Sequence, residues 1–96
     1  MLTHHAITIR PADAPTLAFL AALAGEAPLA LPALIGDVDG VPTAALSLAD
    51  GRVAADPFRP SAGVVRHLRL HRSGWRAREQ RDAVRDRVRA VLPFMA

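Results

Sequence analysis

The stretch Ala33 to Phe58, ALIGDVDGVPTAALSLADGRVAADPF, decides the fold. Its Asp39-Gly40 pair sits between two apolar runs and predicts a type I′ turn, because both central residues of that turn need positive φ. Ala33 to Val38 then reads as one strand and Val41 to Leu48 as its hairpin partner. Pro42 falls at the start of that partner, where a missing amide is tolerated. A second turn at Ala49-Asp50-Gly51 leads into a short strand over Arg52 to Asp56. Together these segments make a three-stranded antiparallel meander.

Upstream, Ala6 to Arg10 alternates apolar and polar residues, which predicts a first strand with Ile7 and Ile9 inward, ended by Pro11. Asp13 is placed to cap a helix whose Leu17, Leu20, Ala21 and Ala24 recur at i, i+3, i+4 and i+7, with Gly25 as its stop. Residues 26 to 32 contain Pro28 and Pro32 and read as a loop. Downstream, Ser61 caps a helix through Val64, Val65 and Leu68 to His71, and Ser73-Gly74 is the expected place for a break or kink. Beyond it Ala77, Val84, Val88, Val91 and Leu92 repeat with helical spacing, Asp82/Arg85 and Asp86/Arg89 form i,i+3 pairs, and Pro93 closes the helix. The expected class is α+β: strand, helix, three-stranded antiparallel meander, then one or two C-terminal helices.

With 96 residues the chain makes one domain. Hydrophobic residues are 51% but aromatics only 4%, so the core is thin and built from Leu, Val, Ile, three Phe and Trp75. Cysteine is absent, which excludes disulfides, thiolate metal sites and cysteine nucleophiles. All twelve basic residues are arginine, a bias that with abundant Ala, Pro and Gly suggests GC-rich bacterial coding. Residues 1 to 56 carry two arginines against six acids, a net −4, and residues 57 to 96 carry ten against three, a net +7. A basic segment attracts nucleic acid, anionic lipid or an acidic protein face. Its arginines surround the helix, however, and Trp75 is the lone interleaved aromatic, so nucleic-acid binding is the weaker expectation. The apolar run from Leu17 is preceded by Pro11, Asp13 and Pro15 and broken by Gly25, Glu26, Pro28 and Pro32, so neither a leader nor a continuous span of about 20 residues is expected. A cytoplasmic chain without a membrane span is expected.

The segments ITIRPADAPTLAFLAAL and ALIGDVDGVPTAALSLADGRVAADPF resemble the first strand and helix and the central hairpins of the GNAT acetyltransferase superfamily. The resemblance covers roughly residues 6 to 70 and implies half of an acetyltransferase fold, a truncated relative. It divides the chain into a partial acetyltransferase-like α/β domain over residues 1–72 and an Arg-rich amphipathic helix over 73–96, packed on that domain or on a partner. It also implies a pyrophosphate loop of the form Arg/Gln-x-x-Gly-x-Gly/Ala, which falls on Arg59-Pro60-Ser61-Ala62-Gly63-Val64. Arg59, Ser61 and the amides of Ala62 and Gly63 are then the candidate cofactor-binding groups; no cofactor is expected, and acetyl-CoA is the alternative ligand. Ala62 and Val64 replace the family's glycines, Pro60 removes an amide, and a β-branched Val64 is expected to obstruct the approach of a pyrophosphate. The chain has no tyrosine, and the second half of the fold, which supplies the catalytic acid, has no counterpart here.

No catalytic residue is assigned. His4 and His5 point to opposite sides of an extended segment, and His67 and His71 share a helix face without a carboxylate beside them, so no metal site is expected. Asp37, Asp39, Asp50 and Asp56 lie at turns and strand ends, where turn chemistry accounts for them. The expected function is a noncatalytic interaction or oligomerisation module, a homodimer that completes the sheet or pairs through Trp75, Val84, Val88 and Val91. The alternative is a small acyl-CoA-binding protein or vestigial N-acetyltransferase.

Overall fold

The computed structural model describes residues 6–95, with side chains over residues 6–85. In chain order the elements are β1 (Ile7–Pro11), α1 (Ala14–Ala24), β2 (Ala33–Val38), β3 (Val41–Ser47), β4 (Val53–Ala55) and α2 (Ala62–Met95). The four strands form one antiparallel sheet in the order β1-β2-β3-β4. The first strand therefore extends the expected meander by one. No helix among the described residues is long and apolar enough to cross a membrane.

Local chemistry sets the element ends. Asp13 caps α1 by accepting from the Thr16 N–H (2.9 Å) and the Thr16 hydroxyl (2.7 Å). Gly25 ends the helix, donating its N–H to Ala22 O (3.2 Å) while Glu26 N–H reaches Ala21 O (2.9 Å). Asp39 and Gly40 take φ of 52° and 79°, and Val38 stands opposite Val41, as a two-residue type I′ hairpin requires. A bulge follows: Gly36 pairs with Ala44 and Asp37 with Pro42, leaving Thr43 as the extra residue. The last strand starts at Val53 rather than Arg52 because the Arg52 N–H is taken by the Asp50 carboxylate (2.9 Å) inside the turn.

The sheet buries both faces. On one, Ile35, Ala45 and Ala54 receive Leu17 and Leu20 of α1 together with Leu29 from the following loop. On the other, Ala44, Leu46 and Leu48 receive Val64 and Leu68 of α2, with Ile7, Ile9, Leu34, Val38, Val53 and Trp75 around them. Leu20, Ile35, Leu46 and Leu68 are fully buried, each stabilising the fold by roughly 1.5–3 kcal/mol relative to exposure. The small residues at the centre of the sheet let the helices approach closely. At Gly36 an added Cβ would overlap Val64 Cγ2.

The break expected at Ser73-Gly74 does not occur, and the helix runs past Pro93, its expected stop, to Met95: α2 is one helix of 34 residues, about 50 Å long at 1.5 Å per residue. Trp75 belongs to this single helix and is partly buried against the sheet-side cluster. One turn earlier Arg72 lies over the β3–β4 turn, with its guanidinium against Gly51 and its Nε donating to Leu48 O (3.2 Å). These contacts on either side of Gly74 keep the helix continuous where its intrinsic propensity is weakest. From Arg76 to Arg85 every residue is exposed. Asp82 and Arg85 form no ion pair among the described residues, in keeping with the small gain available to an exposed pair. The side chains of the Asp86/Arg89 pair, Val88 and Val91 lie outside the described ones.

Because α1 lies chiefly over β3 and β4, the β1 side of its face is closed by charge instead. Arg10 Nε donates to Asp37 Oδ2 (2.8 Å) and Nη1 to Asp13 Oδ1 (2.7 Å), joining β1, β2 and the start of α1. The bond to Asp37, then that to Asp13, raises the Arg10 pKa. The Thr16 hydroxyl first, then Arg10 and the Thr16 N–H, hold the Asp13 carboxyl well below its ordinary value. A depressed folded pKa means that the unfolded chain binds the proton more readily, so the Asp13 contribution is present above the unfolded value of 3.8 and is lost as pH falls toward the folded one. Asp13→Asn is expected to lower the thermal midpoint most at neutral pH. Melts from about pH 7 down to about pH 2 should show the gap to the natural chain constant to about pH 4 and narrowing below it, and a gap independent of pH would contradict this assignment.

Candidate functional site

The turn between β4 and α2 is built around Asp56. Its N–H donates to Thr43 O (2.9 Å), its Oδ1 accepts from Phe58 N–H (2.8 Å), and its carbonyl accepts from Arg59 N–H (3.4 Å). This folds the Asp56-Pro57-Phe58-Arg59 segment back on itself and brings the Arg59 Nε to 3.6 Å from Asp56 Oδ2. The Asp56 carboxylate is nearly buried while the Arg59 side chain is 50% exposed, so the pair leaves much of the guanidinium facing solvent. Ser61 O accepts from Val65 N–H (2.9 Å), which puts Ser61 at the cap position immediately before α2.

Ala62 and Gly63 are exposed in the first turn of the helix, and a Cβ added at Gly63 would meet nothing within 4 Å. Val64 is 2% exposed and points into the sheet at Gly36. The expectation that Val64 obstructs this turn is therefore corrected: its side chain is drawn to the core by the space above Gly36. Arg59, Ser61, Ala62 and Gly63 thus share one loop and helix start, as expected from their order in the chain.

A cleft of about 180 Å³ opens beside them, lined by Val38, Asp39, Val41, Thr43, Arg59 and Pro60. It lies between the β2–β3 hairpin tip and the β4–α2 turn. Of the expected site residues only Arg59 lines it. Val41 and Thr43 carry no site signature in the sequence; they meet the turn because the bulge at Thr43 and the Asp56-to-Thr43 bond fold the two segments together.

The remaining candidates scatter. His67 and His71 are exposed on α2, and no group of three or more His, Cys, Asp or Glu among the described residues is arranged to hold a metal ion. His4 and His5 lie outside the described residues. Asp37 is committed to Arg10, and Asp50 accepts from the Arg52 N–H, which holds its carboxyl below the ordinary range. Trp75 is inward and Val84 is 56% exposed, so the two do not share a surface. No protein-family model, curated protein or solved structure matches this chain.

Proposed function

We propose that the chain is a noncatalytic interaction module of acetyltransferase-like build that pairs with a second copy through the outer edge of β4. One observation carries this reading. The sheet ends on β4, and the Asp56 N–H points to β3, where it meets Thr43 O. Strand amides alternate in direction, so Ala54 faces β3 as well, while the N–H and C=O groups of Val53 and Ala55 point away from it. An edge of this kind is a template for another strand. The resemblance to the GNAT superfamily implies a further strand in a full member, and the β4 of a second copy supplies one here. The noncatalytic part of the reading is supported by the engagement of the two buried carboxylates among the described residues: Asp37 holds Arg10, and Asp56 organises its own turn.

Light scattering at about 50 µM, where a stable dimer is fully populated, is expected to give twice the 10.2 kDa chain mass. Ala55→Pro removes one outward N–H and leaves the β3 ladder intact, so it should return the mass to a single chain with little change in the thermal midpoint. A natural chain that is monomeric, or an Ala55→Pro chain that stays dimeric, would contradict edge pairing.

A second reading, a small acyl-CoA binder, is favoured by the inward Val64 beside an open Gly63, which leaves the first turn of α2 accessible next to Arg59. Millimolar acetyl-CoA should then raise the thermal midpoint of the natural chain but not of Arg59→Ala. A ligand at about 100 times its Kd adds roughly 2.7 kcal/mol, a shift of several degrees for a domain this small. No shift in the natural chain would remove this reading.

A further inference from the structure

We propose that the outer face of α2 is a docking seam for a helix that carries carboxylates beside an apolar stripe. At 3.6 residues per turn, Leu70, Ala77 and Val84 are spaced by seven and fall on the side of α2 opposite Val64, Leu68 and Trp75. The sheet-facing side is thus satisfied by the sheet, and a second apolar line faces away from the domain. Leu70 is 62% and Val84 56% exposed. The line starts over the sheet and continues, with the polar Ser73 and Gln80 between its members, into the part of the helix that projects beyond it.

Three features select the occupant. The stripe is narrow, one residue per heptad with alanine in the middle, which suits the close approach of a single helix better than the broad face that lies in a lipid surface. Exposed arginines border it, Arg69 and Arg76 on one side and Arg81 on the other, and the Arg81 Nε donates to Ala77 O (3.4 Å) beside the seam. Glu79 and Asp82 point away from the seam, and although Glu79 stands one turn from Arg76, neither acid forms an ion pair with the bordering arginines among the described residues.

Self-pairing along this stripe is disfavoured by the same charges. In a parallel pair Arg76 would face Arg81 of the second copy, and in an antiparallel pair arginine would again face arginine along both borders. A helix with Asp or Glu at the bordering positions meets the arginines with opposite charge. A duplex would use the arginines but leave the apolar line without a partner. This seam is separate from the β4 edge and does not depend on pairing there.

The test uses the full chain and a labelled synthetic helix of three heptads with Leu along its seam and Glu on both borders. A scrambled peptide of identical composition, vesicles of phosphatidylglycerol and phosphatidylcholine, and duplex DNA serve as competing probes. The ordered helix is expected to bind at least ~10-fold tighter than the scramble, as geometry added to net charge requires. Val84→Asp, and separately Arg76→Glu with Arg81→Glu, should each weaken that binding by ~10-fold or more. Both variants should keep the unfolding midpoint, because all three residues are exposed and stand beyond the sheet contact. The double arginine variant should instead bind a matching helix bordered by Lys. Equal binding of ordered and scrambled peptides, binding unchanged by Val84→Asp, or tighter binding of vesicles or duplex than of the ordered helix would each overturn the proposal.

Discussion

Gly36 presents no side chain to α2, and Val64 fills the space it leaves, so closely that a single added carbon would overlap the Val64 methyl. This close approach fixes where α2 crosses the sheet. Leu68 and Trp75, one and three turns further on, fall against Ala44, Leu46 and their neighbours, and Arg72 reaches the β3–β4 turn. The same contact turns the first helical residues outward on their other side, which is why Gly63 faces open space. The geometry of the candidate turn and the direction of the projecting helix follow from one missing Cβ.

The many alanines take on meaning in this setting. Ala44 and Ala45 of the central strand are fully buried on opposite faces of the sheet, and Ala54 adds to the α1 face. A sheet whose middle is this thin has little area to bury against each helix, so its stability rests on close packing more than on large side chains. Polar straps supplement it at the margins, with Arg10 between Asp37 and Asp13 at one and Arg72 over Leu48 and Gly51 at another. Arg72 in particular belongs to the fold, although its sequence neighbourhood presents it as one charge among many.

Much of the architecture was legible because it depends on short-range chemistry. The Asp13 cap, the Gly25 stop and the Asp39-Gly40 turn each rest on residues adjacent in sequence, and the strand and helix periods around them agree with them. What was not legible depends on contacts between distant segments. Ser73-Gly74 carries a helix-breaking signature, but Arg72 and Trp75 are anchored on the sheet on either side of it and override a propensity cost of about 1 kcal/mol. The inward turn of Val64 depends on Gly36, and the cleft beside Arg59 on a bulge at Thr43, and neither pairing is written locally. The outer stripe was masked in the same way. Nothing local to Leu70 says which side of the helix the sheet occupies.

Exchange of Gly36 and Val64 tests the central contact most directly. Gly36→Ala should destabilise the chain by about 1–3 kcal/mol in urea unfolding, the cost of forcing extra volume into a packed core. Combined with Val64→Ala, which empties the space the new methyl needs, the loss should be smaller than the sum of the single losses, with a coupling of about 0.5–3 kcal/mol. A neutral Gly36→Ala, or single effects that add, would mean that α2 does not cross the sheet at Gly36, and the positions argued for the β4–α2 turn and for the outer seam would fall with it.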